Sequence, residues 1–206
     1  MAPVVICIFA KPPVPGAVKT RLATALGPQR AAELAQAFLD DTIAAVKALP
    51  WAQPILSSPE ATCSELPVLI QGEGDLGARI ERVLRNALQL APFAIAIGAD
   101  APALPARLLE AARDALGRAD AVIGPADDGG FYLLGLRACP ERLLAGLPWS
   151  APDTFARTTE RLRERGLRVE VLERWFDVDR PEDLDRLRAL IQRGEIHAPS
   201  TVLLLK

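Results

Sequence analysis

Acidic residues that follow predicted strands are the chemically suggestive feature of this sequence. The apolar run Phe93–Ile97 has the composition of a strand buried on both faces, and Asp100 follows it, ahead of Pro102 and Pro105. In an open α/β sheet, ligands bind at the carboxyl ends of the strands. A carboxylate there either holds a divalent cation or substrate, or accepts hydrogen bonds within its own loop, and both uses stay open.

A second acidic segment, Asp177-Val-Asp179, follows the last predicted strand. Asp179 and Glu182 have the spacing of a capping box around Pro181, which leaves Asp177 as the free carboxylate. If Asp177 shares a crevice with Asp100, the two form a cation site. Oxygen ligands alone suit Mg²⁺ or Mn²⁺ better than zinc.

The segment Asp127-Asp128-Gly129-Gly130 is typical of a hairpin turn, and it gains a functional meaning only if it faces the same crevice as Asp100. Farther along the chain, Ser150 and Asp153 predict a helix N-cap. Trp149 before them fits either the core or a stacking surface for a sugar.

Cations are concentrated on the loop Ala10–Arg21, where three prolines and Gly16 predict an irregular backbone. Lys11, Lys19 and Arg21 on this loop are suited to phosphate oxygens. The loop is neither a P-loop, because Val stands at position 18 where Gly is required, nor a dinucleotide fingerprint. The alternative is a loop of solvated cations that leads into a helix.

The segment Gly72–Arg79 is a second junction between a loop and a helix. Its glycines would allow a flat ligand such as a nucleobase to approach the backbone closely. Asp75 is suited to cap the helix, and a ligand role is the alternative.

The order of elements predicts one α/β domain over residues 1–206, with a mostly parallel sheet between two layers of helices. Apolar or alternating runs predict strands at 3–9, 54–57, 66–71, 93–97, 119–125, 131–135 and 167–172. Helical spacing predicts helices at 29–49, 77–90, 107–118, 151–166 and 183–193.

Composition excludes several functional classes. With 24 basic and 26 acidic residues, the chain carries a formal charge of −2, which gives no support for a nucleic-acid face and leaves only local basic clusters open. No apolar run approaches the length of a membrane span, and we expect a cytoplasmic protein. Cys7, Cys63 and Cys139 form no metal-binding or disulfide pattern. The sole histidine, His197, is expected at the surface or an interface, which argues against a Ser-His-Asp triad.

Read together, these segments resemble one family. AKPPVPGAVKTRL (10–22), GDLGAR (74–79), IGADAPAL (97–104), GPADDGGFYLLGL (124–136), LPWS (147–150) and DVDRPEDL (177–184) follow in order the pattern of bacterial nucleotide-diphospho-sugar-transferase-like proteins, often labelled glycosyltransferases of arsenosugar biosynthesis. More distantly, the chain is similar to phospholactate guanylyltransferases and molybdenum-cofactor nucleotidyltransferases.

This resemblance implies a three-layer GT-A-like fold. It implies that Lys11, Lys19 and Arg21, with Gly16, lie along the phosphates of a nucleotide, and that Gly74, Leu76 and Arg79 lie near the base. It makes Asp100 the counterpart of the last Asp of a glycosyltransferase DxD motif. Because position 98 is Gly, the bound Mg²⁺ or Mn²⁺ needs another ligand, for which Asp177 is the candidate. The acceptor is expected beside Asp128, Gly129, Gly130, Trp149 and Ser150.

Three functions follow as expectations. The first is a metal-dependent glycosyltransferase that uses a nucleotide-sugar, with Asp128 and Lys19 as catalytic residues and a small-molecule acceptor. The second is a nucleotidyltransferase that joins NMP from an NTP to a phosphorylated acceptor and releases pyrophosphate. The third is a nucleotide-binding protein without catalysis. The apolar tail 202–205 is expected to pack on the domain or on a partner subunit, which leaves a homodimer possible.

Overall fold

All seven segments predicted as strands form strands of one sheet in the computed structural model, which describes residues 3–62, 64–102 and 104–205. The strands are β1 (Val4–Phe9), β2 (Ala52–Ser58), β3 (Val68–Ile70), β4 (Phe93–Gly98), β5 (Ala121–Pro125), β6 (Phe131–Leu136) and β7 (Val169–Val171). The alternation of apolar runs with turn residues was therefore sufficient to locate them.

The strands are arranged in the order β3-β2-β1-β4-β6-β5-β7. Within this sheet β6 pairs antiparallel with β4 and with β5, whereas the other pairs are parallel. The carboxyl ends of the six parallel strands consequently meet at one edge, and the β5–β6 turn lies at that same edge. The prediction of a mostly parallel sheet is confirmed.

Helices cover both faces of the sheet. They are α1 (Thr20–Leu26), α2 (Pro28–Lys47), α3 (Leu76–Ala87), α4 (Ala106–Leu116), α5 (Thr154–Glu164), α6 (Pro181–Gln192) and α7 (Pro199–Leu204). One core cluster joins the sheet to α2, α4 and α6 through side chains such as Phe38, Leu109 and Leu187. A second cluster joins the opposite face to α3 and α5 through Val83, Leu84 and Leu162. Each large apolar side chain buried in this way contributes roughly 1.5–3 kcal/mol.

Two short helices were not predicted. Helix α1 begins at Thr20, inside the segment expected to be irregular, and Gly27 separates it from α2 with a φ of 82°. A left-handed glycine directly before Pro28 ends one helix and starts the next, a break that helical spacing alone does not reveal. Helix α7 lies in the tail, and Asp41 of α2 accepts hydrogen bonds from the Ser200 and Thr201 amides at 2.8 and 2.9 Å.

The tail therefore packs on the domain, which confirms one of the two expectations for it. Arg30 donates to the Leu204 carbonyl from α2, and Leu205 contacts the first core cluster. Cys7 is buried in β1, and Cys63 lies outside the described residues. Within the described part of the chain, no helix combines the length and apolarity needed to cross a bilayer.

Predicted helix caps were right in one case and wrong in two. The Asp75 side chain accepts from the Ala78 amide at 2.8 Å and caps α3. Ser150 does not cap α5, because this helix begins at Thr154, whose hydroxyl donates to the Pro148 carbonyl at 2.8 Å. At α6 the capping carboxylate is Asp183 rather than Glu182, since it accepts from the amides of residues 179 and 180.

Candidate active site at the strand-end edge

Main-chain hydrogen bonds bring the acidic segments together at the carboxyl edge of the sheet. The Val178 amide donates to the Asp100 carbonyl at 2.8 Å, which joins the segment after β7 to the segment after β4. The Trp175 amide donates to the Pro125 carbonyl at 3.0 Å and joins the same segment to the end of β5. The segments that carry Asp100, Asp128 and Asp177 thus lie next to one another at this edge.

Lys19 is the centre of this arrangement. Its Nζ lies 2.6 Å from Asp100 Oδ1 and 2.9 Å from Asp179 Oδ1, and its side chain is only 4% exposed. The ammonium also lies 5.7 Å from the centre of the Phe38 ring. A cation from the first loop therefore connects two carboxylates that follow β4 and β7.

The two carboxylate partners of Lys19 favour its protonated, charged form. Burial favours the neutral amine and would lower its pKa, but Asp100 and Asp179 outweigh that effect, so the pKa is raised. Lys19 also has a left-handed backbone, with φ 47° and ψ 44°, at the residue before α1. Such a conformation is costly for a residue with a Cβ, and the surrounding contacts must stabilise it.

The pKa of Asp177 reflects the several carboxylates that lie close together at this edge. Burial, together with the nearby charges of Asp100 and Asp128, raises its pKa to about 7, and Lys19 opposes the shift. Asp177 thus lies in one electrostatic neighbourhood with Asp100 and Asp128, which is the condition that the sequence set for a common role of these residues. A divalent cation would relieve the repulsion between these groups.

The donor atoms at this edge fit Mg²⁺ or Mn²⁺. Carboxylate oxygens are their usual protein ligands, and the Asp100 side chain is 64% exposed and accessible. Across residues 3–62, 64–102 and 104–205, no three His, Cys, Asp or Glu side chains converge into a complete metal site. In phosphate sites, Mg²⁺ is usually bound by one or two carboxylates together with substrate oxygens and waters.

The β5–β6 turn presents Asp128 at the edge and is held by packing on both sides. Asp128 Oδ1 accepts from the Gly130 amide at 2.8 Å, and Asp127 forms a 2.6 Å ion pair with Arg186 of α6. Gly129 has a φ of 91°, and a Cβ there would lie 2.1 Å from the Pro152 carbonyl oxygen. Only glycine allows this turn to contact the segment before α5 so closely.

Trp149 packs against the start of α3 and against Phe131 of β6. A Cβ on Gly77, in the first turn of α3, would lie 2.6 Å from the Trp149 ring. The Phe131 and Trp149 rings meet edge to face, with centroids 6.2 Å apart. Trp149 is half-buried against the second core cluster, and the neighbouring Ser150 is exposed with a φ of 57°.

The loop Gly72–Asp75 is braced from α3. Arg82 donates to the Gln71 carbonyl and, at 3.0 Å, to the Glu73 carbonyl. Arg79 donates to the Gly74 carbonyl at 3.0 Å, so its guanidinium already has a structural partner. Leu76 is 44% exposed beside this loop.

The remaining candidates are exposed residues of the first loop and of the first turn of α1. Lys11 and Gly16 are exposed, and Gly16 has a φ of 81°, with open space where a side chain would project. Arg21 is 64% exposed, and its Nη1 lies 3.9 Å from Asp179 Oδ2. Their assignment to phosphate binding stays a prediction.

Asp179 is the site residue that sequence reasoning missed. It was assigned to a helix cap, but its carboxylate contacts Lys19 and Arg21 instead. The available signal was the spacing of Asp177 and Asp179, since alternate residues of an extended segment point the same way. The nearby Asp183 at the start of α6 made the true capping residue easy to misplace.

Comparison with known proteins gives a family and a fold. The sequence matches DUF2064, described as an uncharacterized protein family conserved in bacteria, over residues 29–151. A candidate nucleotide-diphospho-sugar transferase from Desulfovibrio desulfuricans G20, known from its crystal structure, is 30% identical. It superposes with a TM-score of 0.89, covering 99% of this chain and 94% of its own. No curated protein matches the sequence.

More distant structures share the fold. CMP:2-keto-3-deoxy-manno-octonic acid synthetase complexed with CTP is 14% identical with a TM-score of 0.58, covering 93% of this chain and 99% of its own. 4-Diphosphocytidyl-2C-methyl-D-erythritol synthase is 12% identical with a TM-score of 0.60 and the same coverage. These two structures confirm the predicted fold, whereas the expected enzyme class, a transferase, is borne out by the 30% identical candidate nucleotide-diphospho-sugar transferase.

Proposed function

Because this chain belongs to the DUF2064 family, we propose that it is a metal-dependent glycosyltransferase that uses a nucleotide-sugar donor and a small-molecule acceptor. The observation that carries the proposal is the contact of Lys19 with Asp100 and Asp179, with Arg21 beside them. Cations from the loop after β1 and carboxylates from after β4 and β7 meet where a nucleotide diphosphate would need both.

The charge balance at this edge supports a requirement for metal. Lys11, Lys19 and Arg21 supply three positive charges, while the four carboxylates Asp100, Asp128, Asp177 and Asp179 supply more negative charge. A diphosphate adds further negative charge, so protein cations alone do not neutralise the complex. Mg²⁺ or Mn²⁺ held by Asp100 and Asp177 would supply the missing charge and act as a Lewis acid on the phosphate oxygens.

The residues of the chain have distinct roles in this transfer. Lys19 and Arg21 stabilise the negative charge that grows on the diphosphate as its bond to the anomeric carbon breaks. The acceptor oxygen forms the new bond to that carbon, and Asp128 orients the hydroxyl and takes its proton. Gly129, Gly130, Trp149 and Ser150 border the acceptor, whereas Gly74 and Leu76 lie near the base.

Nucleotidyl transfer is the second candidate, because two of the structures that share the fold are synthetases of cytidylyl compounds, one of them complexed with CTP. In this reaction an acceptor phosphate attacks the α-phosphorus and pyrophosphate leaves. The nucleophile is already ionised, so Asp128 has no proton to remove. Lys19, Arg21 and the metal keep the same electrostatic role.

A paired assay separates these functions. The protein is incubated with Mn²⁺ and a panel of nucleotide-sugars, and release of the nucleoside diphosphate is measured; a parallel panel of nucleoside triphosphates is assayed for pyrophosphate. We expect slow, Mn²⁺-dependent hydrolysis of one nucleotide-sugar and its loss in Asp100→Asn. Asp114→Asn, on the exposed face of α4, is the matched control and should retain the activity.

Pyrophosphate release without nucleotide-sugar hydrolysis would replace the first candidate by the second. Nucleotide binding that needs no Mn²⁺ and survives Asp100→Asn would instead indicate a binding protein without catalysis. Calorimetry on the same two variants measures that outcome directly.

A further inference from the structure

We propose that Asp179 is a positioning residue that sets the places of Lys19 and Arg21 for a polyphosphate chain. The inference rests on the proposed function, because it concerns the same donor site. It assigns to Asp179 a role in arranging cations rather than in contacting the reacting atoms.

The Asp179 carboxylate stands on a fixed main chain. Its own amide donates to Asp183 Oδ2 at 3.0 Å, at the start of α6. The preceding residue, Val178, is fully buried and donates its amide to the Asp100 carbonyl at 2.8 Å. The main chain that carries the carboxylate is thus held by the segment after β4 on one side and by α6 on the other.

Each oxygen of this carboxylate faces a different cation. Oδ1 accepts from Lys19 Nζ at 2.9 Å, and Oδ2 lies 3.9 Å from Arg21 Nη1. The two cations come from the residues around the start of α1, and one carboxylate contacts both, Lys19 through a hydrogen bond and Arg21 through a longer ion pair. Lys19 is 4% exposed and Arg21 is 64% exposed, so one cation is buried and the other faces the solvent.

Asp100 cannot replace Asp179 in this role. It contacts Lys19 at 2.6 Å but has no ion pair with Arg21 among the described residues, and its side chain is 64% exposed. Without Asp179, Lys19 keeps one carboxylate partner, whereas the exposed Arg21 becomes free to sample many rotamers. The loss of ordered donors weakens binding because the ligand must then order them itself.

Whether polyanion binding becomes weaker or stronger when the Asp179 carboxylate is removed distinguishes a positioning role from a simple effect of net charge. Removing a carboxylate next to a polyanion should strengthen binding if only net charge matters. If Asp179 positions the cations, the same change should weaken binding. Asp128 offers the matched control, because it belongs to the same carboxylate group but its side chain contacts the Gly130 amide rather than Lys19 or Arg21.

The test compares Asp179→Asn and Asp128→Asn with the unchanged protein. Affinities for inorganic tripolyphosphate and for orthophosphate are measured by titration calorimetry and NMR, with Mg²⁺ and with EDTA. We expect the preference for tripolyphosphate to fall about tenfold in Asp179→Asn, as the loss of a charge-assisted contact predicts. In Asp128→Asn the preference should stay the same or rise. Thermal unfolding shows that both variants are folded.

Three results would overturn the inference. They are a preference that is unchanged or increased in Asp179→Asn, an equal loss in Asp128→Asn, and a loss seen with Mg²⁺ but absent in EDTA, which would make Asp179 a metal ligand. If nucleotide-sugars bind normally while the tripolyphosphate preference is independent of Asp179, only this inference fails. If the unchanged protein binds neither nucleotides nor tripolyphosphate, the proposed function fails with it.

Discussion

The loop after β1 and the loop before α3 both contain helix-breaking residues and both lie at the carboxyl edge of the sheet, but they are held in different ways. The first is tied down through Lys19, whose ammonium contacts Asp100 and Asp179. The second is held by Arg79 and Arg82, which donate to backbone carbonyls of residues 71–74.

Because of this difference, we expect the first loop to respond to charged ligands and the second loop to be pre-formed. A phosphate or a divalent cation competes directly for the charged groups that hold the first loop. The second loop is held by bonds that such a ligand does not replace. We therefore expect polyphosphate binding to depend on charges in the first loop and to be insensitive to the braces of the second.

The largest expected effect comes from Lys19→Met, which keeps most of the apolar stem and removes the ammonium. Affinity for nucleoside di- and triphosphates should fall at least about tenfold, because a buried charge-assisted contact is lost. Affinity for the free nucleoside should not change. Calorimetry on nucleoside, monophosphate and diphosphate measures the contrast.

Lys11→Met is the control for that substitution, because Lys11 is exposed on the same loop. It should reduce the affinity of the diphosphate less than Lys19→Met does. Equal losses for the nucleoside and the diphosphate in Lys19→Met would contradict a phosphate role for this residue.

An effect on stability rather than on ligand affinity is expected from pH through Asp177. Its pKa is about 7 in the folded protein, against an ordinary value of 3.8, so between these values the folded state binds more protons than the unfolded state. Stability of the metal-free protein should therefore fall as pH rises from 4 to 7 and then level off. Asp177→Asn should remove this decline, which chemical unfolding at several pH values would detect.

Adding Mn²⁺ gives a second test in the same experiment. The cation should offset the repulsion between Asp177 and the neighbouring carboxylates, and this repulsion exists only when Asp177 is ionised. Added Mn²⁺ should stabilise the unchanged protein more at pH 8 than at pH 5. Parallel stability profiles for the unchanged protein and Asp177→Asn would rule out this account of the carboxylate group.

The smallest expected effect is that of Asp75→Ala in the second loop. Loss of the hydrogen bond to the Ala78 amide removes the N-cap of α3 and should cost about 1 kcal/mol of unfolding free energy. The ratio of triphosphate to monophosphate affinity should stay constant. A change in that ratio would show that the two loops are not independent.

Most of the fold could be predicted because its elements have clear local patterns. Apolar runs such as Val4–Phe9 and the breaks at Gly and Pro locate the strands, and helical spacing locates the five longer helices. Helices α1 and α7 escaped because each is only six or seven residues long, and packing rather than periodicity stabilises them.

In the candidate site, the proximity of the acidic segments could be anticipated from the sequence, but the pairing of their side chains could not. Asp100 and Asp177 were expected to share a crevice because parallel strands end at one edge. The partnership of Lys19 with Asp179 joins residues 160 positions apart, and no local pattern encodes it. Asp183 caps α6 one residue beyond the predicted Glu182, and the Asp179 side chain contacts Lys19 instead of the cap.

The reversed direction of β6 has a consequence for how this architecture can diversify. Because β5 and β6 are joined by a tight hairpin, Asp127 and Asp128 reach the carboxyl edge without any crossover helix. The β5–β6 turn, which borders the proposed acceptor, is therefore a short segment and is separate in sequence from the loops after β1 and before α3. Residues inserted between Pro125 and Phe131 would remodel acceptor selection while the donor side keeps its geometry.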